Sequence, residues 1–295
     1  MDIVEIFCKI DDFCKEFLPE YNKTLLSSKE LNIKRNKPCN LSLSEIMTIV
    51  VYFHASHYRT FKHYYLDVIQ VKFLKLFPNA VSYNRFIELK QAAIVPLIAF
   101  MQSKCFGECT GISFVDSTIL KVCHNKRINS NKVFESVATR GKSSMGWFYG
   151  FKLHLTINEI GEILSCTLTP GNTDERDEET MNKLTKELFG KLIGDRGYIS
   201  QKLFESLFEK GIQLITKIRK NMKNTLMSIS DKILLRKRAV IESVNDQLKN
   251  ISQIEHSRHR SVSNFFVNVI SGIIAYSFRE KKPSIFSDSN ILASF

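Results

Sequence analysis

Three acidic residues, far apart in the sequence, stand where a carboxylate could take part in chemistry. Asp116 lies inside the apolar stretch FVDST, Asp195 follows the apolar segment KLIG, and Glu242 lies within the basic segment RKRAVIESVNDQLK. A lone carboxylate in an apolar stretch costs free energy unless it is paired or hydrogen-bonded. Each aspartate also has an ordinary interpretation. Strand alternation can turn Asp116 to water, and an Asp before Arg-Gly is common in turns.

Glu242 can be judged on helical geometry. At about 100° per residue one face of the helix is apolar, formed by Val240, Val244, Leu248 and Ile251. The opposite face is polar, with Arg238, Glu242, Asn245 and Lys249. One interpretation is a solvated face on which Arg238 and Glu242 form an i,i+4 pair. The other is a face turned toward phosphate on which Glu242 binds a metal ion, since Mg²⁺ prefers carboxylate oxygens.

The elements that must position these acids are predicted to form a mixed sheet. Apolar alternation and turn residues predict strands at 111–120, 148–158, 162–170, 191–195 and 212–218. Helices are predicted at about 177–189, 200–210 and 230–250, and GKSSMG (141–146) is interpreted as a flexible linker. Three strands, then helix, strand, helix, strand and a final helix are the order of a ribonuclease-H-like α/β fold with a five-stranded mixed sheet.

The first part of the chain has a helical pattern instead. Residues 1–108 are predicted to form a helical DNA-binding region, and residues 109–295 the ribonuclease-H-like catalytic domain with C-terminal helices. Ser42 or Ser44 is expected to cap one helix and Ser82 another. Basic residues between 59 and 75 alternate with aromatic ones, which is typical of nucleic-acid binding. Amphipathic helices with a solvated basic face would show the same pattern.

The composition favours a polyanionic partner. Lys and Arg number 42 against 30 Asp and Glu, which gives a formal charge of +12 and a pI of about 9.3. The seven cysteines are scattered and predict neither a disulfide framework nor a zinc site. The N-terminus is acidic where a signal peptide would be basic, and the apolar stretch 265–278 is too short to span a bilayer. We therefore expect a cytosolic protein without a membrane partner.

Several of these motifs together carry a family resemblance. The segments FVDST, GFKLHLTINEIGEI, TPGNTDERD and GDRGY, and the pattern R-x3-E-x6-K, occur in this order. The set resembles DDE-type transposases of bacterial insertion sequences, and most of all the insertion sequence 982 family. The similarity is clearest from about residue 110 to 275. The related pattern has a tyrosine three positions before its arginine, where this chain has Leu235.

The resemblance implies a function and a site. Asp116, Asp195 and Glu242 would be the catalytic residues and would bind two Mg²⁺ or Mn²⁺ ions about 3.5–4 Å apart. The reaction would be cleavage at the inverted-repeat ends of the element, followed by transfer of the freed 3′-hydroxyl to target DNA, with a homodimer expected in the active complex. Cations would bind phosphates beside and along the site, namely Arg238, Lys249, Lys217, Arg219, Lys220, Arg258 and Arg260.

Alternatives remain at this stage. Glu255, Glu205 and Glu209 are rival third acids, while Asp174 and Asp177 are interpreted as loop and helix-start residues. The chain could also be a repressor derived from such an enzyme but without chemistry, or a metal-dependent nuclease specific for DNA structure. Glu242 is preferred because it alone has Arg and Lys companions on its own helical face.

Overall fold

The computed structural model describes residues 1–27, 40–144, 146–217, 227–255 and 259–286. They form two compact units. The helical unit contains residues 1–105 and 248–279, and the sheet unit contains residues 106–247 and those from 280 onward. The change near residue 105 lies close to the boundary predicted after residue 108. Residues 248–279, however, pack in the helical unit, although the sequence analysis placed them with the catalytic domain.

The α-helices are numbered in chain order. They are α1 (Ile3–Ser27), α2 (Leu43–Phe53), α3 (Phe61–Tyr64), α4 (Tyr83–Leu89), α5 (Ile94–Phe100), α6 (Glu178–Leu184), α7 (Gln201–Glu209), α8 (Ile229–Lys237), α9 (Ala239–Asp246) and α10 (Val262–Ser277). Shorter 3-10 and π-helical segments follow several of them, at Lys90–Ala93, Tyr65–Lys72, Met101–Cys105 and Gln247–Ile251. Ser42 caps α2 in a capping box with Glu45, and Ser82 caps α4, so both predicted starts are confirmed.

The helical unit is built around α10. This helix is buried from Val267 to Tyr276, and it packs against α2 and α5. Its apolar character on all sides therefore reflects a central position in a helical core. None of the helices within the described ranges is long and apolar enough to cross a membrane.

The sheet unit contains six described strands. They are β1 (Ile112–Cys123), β2 (Thr139–Ser143), β3 (Gly146–Asn158), β4 (Ile163–Pro170), β5 (Gly190–Ile193) and β6 (Ile212–Ile215). The order is β2-β3-β1-β5-β6, and β4 also pairs with β3. β3 is antiparallel to β1, β2 and β4, whereas β5 is parallel to both β1 and β6. The mixed sheet with two added parallel strands agrees with the predicted order.

Two predictions about local structure are wrong. The described residues of the segment predicted as a flexible linker contribute to β2 and β3, which pair with each other. Because Gly141 has no side chain, β2 can also lie close to the backbone of Gly171, which follows β4. The sheet therefore has a sixth strand. The single helix predicted over 230–250 is two helices, α8 and α9, that meet at Arg238. The backbone N–H of Ile241 bonds to the carbonyl of Arg238 at 3.1 Å, a tight turn at the start of α9.

Candidate active site

Asp116 lies in the middle of β1, the strand at the centre of the sheet. The strand is rich in β-branched and aromatic residues, and Phe114 and Val115 are fully buried in it. The Asp116 side chain is 20% exposed. Its Oδ2 accepts a hydrogen bond from Nδ2 of Asn245 at 3.1 Å, and its Oδ1 lies 3.7 Å from Nη1 of Arg238. Strand β1 and helix α9 together hold this carboxylate.

Asp195 lies at the end of β5, beside β1. Phe114 of β1 is level with Ile193 of β5, and the two strands run parallel. Two more residues along each strand direction lead to Asp116 and Asp195, so the Asp116 carboxylate, in the middle of β1, lies level with Asp195, just beyond the end of β5. Oδ1 of Asp195 accepts a hydrogen bond of 2.7 Å from the N–H of Gly197. Asp195 thereby caps a short 3-10 turn, Arg196–Tyr198.

Glu175 is a further carboxylate at this place, which the sequence analysis did not select. It belongs to the segment TPGNTDERD after β4, and its Oε1 accepts a hydrogen bond of 2.7 Å from Oγ of Ser117. A side chain at Gly197 would clash with Oε2 of Glu175 and lie 2.9 Å from Oδ1 of Asp195. Glu175 and Asp195 thus flank the Cα of Gly197, which must remain a glycine for both to approach.

Asp116 carries the electrostatic signature of this cluster. Its pKa is raised to about 7, mainly by burial; Arg238 opposes this rise, and the charges of Asp195 and Glu175 contribute to it. Burial and the same three carboxylates also raise the pKa of Tyr198 well above its usual value. Within the described residues the buried Tyr198 hydroxyl has no hydrogen-bond partner. The site therefore holds more negative charge than its own neighbours neutralise.

Glu242 lies on the other side of Arg238. Its side chain is 57% exposed and forms an ion pair with Nη2 of Arg238, which is only 18% exposed. Arg238 therefore lies between Asp116 and Glu242 and contacts both. Asn245, on the same predicted polar face, is buried against Asp116. The polar face of α9 is turned toward β1, and Glu242 is at its exposed margin.

The other residues predicted to bind DNA lie in different parts of the chain. Lys249 belongs to the helical unit, where it pairs with Glu255 at 3.2 Å. Lys217 and Arg260 are exposed, whereas Arg219, Lys220 and Arg258 lie outside the described residues. Leu235, which stands where the family pattern has a tyrosine, is buried in α8.

The remaining acids have ordinary partners. Glu205 accepts a hydrogen bond from Gln201, and Glu209 ends α7. Asp174 accepts two hydrogen bonds from the Arg176 side chain, and Asp177 caps α6. These last two contacts confirm the interpretation of Asp174 and Asp177 as loop and helix-start residues.

The carboxylates suit a hard divalent ion in their chemistry. Among the residues that the structure describes, no group of three or more His, Cys, Asp or Glu is arranged as a metal site. Asp116, Asp195 and Glu175 nevertheless offer only carboxylate oxygens, the donors that Mg²⁺ and Mn²⁺ prefer. A cation beside Asp116 would also neutralise the charges that raise its pKa.

Comparison with known proteins supports one family. The family model described as "Transposase DDE domain" matches residues 106–262, which include β1, β5 and α9 and therefore Asp116, Asp195 and Glu242. A comparison with curated proteins finds no match.

Proposed function

This chain belongs to the transposase DDE domain family, and we propose that it cleaves DNA at the ends of an insertion sequence and joins the freed 3′ ends to target DNA. Within the family, the proposal places it closest to the insertion sequence 982 group. The observation that carries the proposal is that Asp116, in the middle of β1, is level with Asp195, just beyond the end of the adjacent parallel strand β5. DDE transposases generally use divalent metal ions, and paired carboxylates suit such ions.

The proposed catalytic residues are Asp116, Asp195 and Glu242, as ligands of two Mg²⁺ or Mn²⁺ ions. Bound ions of this kind stabilise charge at the transferred phosphorus and lower the pKa of an attacking water. Glu175 is the rival third ligand, because it already contacts Ser117 next to Asp116. Glu242 remains the first choice, since the ion pair that holds it is largely exposed on the Glu242 side and can exchange.

The residues around Asp116 prepare it for this role. The hydrogen bond from Asn245 orients the carboxylate, and the guanidinium of Arg238 favours its ionised form. Nη1 of Arg238 is buried and has no hydrogen-bond partner within the described ranges. Arg238 thus keeps a donor for a phosphate oxygen, and charge-assisted bonds of this type are strong.

DNA binding is proposed to extend from the site around Asp116 to further basic residues. Lys217, Lys249 and Arg260, with Arg219, Lys220 and Arg258 outside the described residues, would contact phosphates of the element end or of the target. A homodimer is proposed for the active complex because two ends must be brought together. Since phosphate contacts release counterions, affinity for DNA should fall steeply as salt concentration rises.

The test is a cleavage and joining assay on labelled DNA that carries the inverted repeat of the element. The purified protein should nick the DNA at the repeat and join the 3′ end to a second duplex, with Mg²⁺ or Mn²⁺ required. Binding of the repeat without nicking or joining in either ion would contradict the proposal and favour a repressor. Cleavage without any joining would favour a nuclease.

A further inference from the structure

The helical unit contains a large pocket that the proposed chemistry does not use. It has a volume of about 1000 Å³ and lies between α2, the α3–α4 region and α10. Its floor includes Lys90, His54 and His259, and its exposed rim carries Arg59, Lys62 and Arg260. Pockets that take small organic ligands have volumes of about 300–1,000 Å³. The space therefore suffices for a ligand larger than a lone ion.

Lys90 is the unusual residue of this pocket. It is 7% exposed, and its amine lies 4.4 Å from the ring centre of Phe61. No carboxylate of the described residues lies within ion-pair distance of it, and Glu88, at the rim, pairs with Arg85 instead. Burial lowers the pKa of Lys90 to about 8. A buried ammonium that only an aromatic ring stabilises is costly to the fold unless a ligand supplies the anion.

Other polar atoms in the pocket also lack partners. Nε2 of His259 and Oδ1 of Asn264 are buried and make no hydrogen bond within the described residues. Burial lowers the pKa of His259 to about 3 and that of His54 to about 4, so both rings are neutral near pH 7. A neutral imidazole keeps one N–H donor, and an amide offers both a donor and an acceptor. The pocket thus combines a buried cation with neutral groups that can form hydrogen bonds.

We propose that this pocket binds the phosphate of a nucleotide, with the phosphate at Lys90 and the sugar or base toward Tyr83 and Asn84. A phosphate group satisfies the buried cation, and its oxygens accept from several donors at once. Aromatic and amide side chains beside a cation are the usual surroundings of a nucleotide. The exposed cations Arg59, Lys62 and Arg260 would guide a polyanion to the entrance. The inference rests on the proposed function only in taking DNA as the source of the nucleotide.

The test compares Lys90→Met with Lys9→Met, without metal ions so that no cleavage occurs. Lys9 is a matched control because it lies in the same unit, also over a phenylalanine ring, but is exposed and outside the pocket. Anisotropy of a labelled duplex should show that Lys90→Met weakens binding about 10-fold or more, the loss expected for a hydrogen bond to a charged group. Lys9→Met should change the affinity less than about 2-fold. Equal losses in the two variants, or no loss in either, would overturn the proposal.

A second variant keeps the test valid if Lys90→Met does not fold. Asn264→Ala removes a side-chain oxygen that has no hydrogen-bond partner among the described residues, so it should weaken binding with little effect on thermal unfolding. If Lys90→Met does not fold, normal binding by Asn264→Ala would by itself contradict the proposal.

Competitors then identify the source of the phosphate. If dAMP displaces the duplex from the wild type and not from Lys90→Met, the pocket accepts a free nucleotide. If neither dAMP nor inorganic phosphate displaces the duplex while Lys90→Met still weakens binding, the pocket accepts a phosphate of the DNA strand. Both outcomes support the pocket. Asp116→Asn separates the two proposals, since it should bind the duplex normally and lose only the chemistry.

Discussion

The two units of this protein each bury one charge that their own residues do not fully neutralise, and the two charges have opposite signs. In the sheet unit, burial and neighbouring carboxylates raise the pKa of Asp116 to about 7. In the helical unit, burial lowers the pKa of Lys90 to about 8. Asp116 has Arg238 and Asn245 as partners, whereas Lys90 has mainly the ring of Phe61. A buried excess of negative charge therefore indicates a site for a cation, and a buried excess of positive charge indicates a site for an anion.

The largest expected effect is a loss of chemistry in variants of the sheet unit, in contrast to a loss of DNA affinity in a variant of the helical unit. Asp116→Asn or Asp195→Asn should lower cleavage and joining by about 10³-fold or more, because a neutral amide is a poor ligand for a divalent ion. DNA affinity should stay close to that of the wild type in a metal-free binding assay. Lys90→Met should show the reverse, with weaker affinity and a near-normal rate at saturating DNA. A loss of both properties in all three variants would show that the units do not act separately.

A smaller effect concerns the third acid beside the two aspartates. Glu242→Gln should reduce joining by about 100-fold if it removes a metal ligand, and Glu175→Gln by about 10-fold through its contact with Ser117. Initial rates in Mg²⁺ would measure both, with Glu255→Gln as a control, because Glu255 pairs with Lys249 in the helical unit. The reverse order of the first two variants would assign the third position to Glu175.

The buried acid should also affect stability, with a defined dependence on pH. In the folded protein the pKa of Asp116 is raised above its unfolded value of 3.8, so the native state loses stability relative to the unfolded state as pH rises from about 4 to 7. Asp116→Asn removes this loss and should stabilise the metal-free protein above pH 7 by about 1–3 kcal/mol. Denaturant unfolding at several pH values would measure the gain. A gain that does not change between pH 4 and 8 would contradict this account.

The buried lysine should show the opposite dependence. Its folded pKa is lowered, so the charged form destabilises the fold below about pH 8, and stability recovers as pH rises toward 10.5. Lys90→Met should stabilise the free protein by about 1–2 kcal/mol at pH 7, less the lost contact with Phe61. The gain should shrink between pH 8 and 10.5 in the same unfolding experiment. If Lys90→Met instead destabilises the protein at pH 7, Lys90 has a structural role.

The sequence predicts those elements whose residue pattern follows their burial. β1, β3 and β4 have clear alternation or β-branched residues, and they lie close to their predicted ranges. β2 has the polar sequence TRGKS and contains Gly141, which lies against the backbone of Gly171, so no local pattern of apolar residues indicates this strand. The division of the helix predicted over 230–250 into α8 and α9 at Arg238 is also not visible in the local pattern. A helical wheel assumes one continuous helix, and here two helices each bury a separate face.

The two aspartates of the site could be predicted because their positions follow from the strand pattern. The rule that ligands gather at strand ends points to Asp195, and the cost of burying a lone carboxylate in an apolar strand points to Asp116. Neither argument needs any knowledge of side-chain contacts. Glu175 is different, because its place depends on a loop that reaches Ser117 across the fold. Lys90 is also different, since its position in the sequence resembles any basic residue of an amphipathic helix. Only the structure shows that it is buried and that no acid in the described part of the chain pairs with it.

The most direct test of the central claim, that Asp195 helps to hold the metal ions for DNA cleavage and joining, is a change of metal preference. Asp195→Cys replaces a hard oxygen ligand by a softer sulfur ligand, which disfavours Mg²⁺ more than Mn²⁺. The account predicts that this variant cleaves and joins element-end DNA in Mn²⁺ but not in Mg²⁺, whereas the wild type is active in both. Activity of Asp195→Cys in Mg²⁺ equal to that of the wild type would contradict the claim.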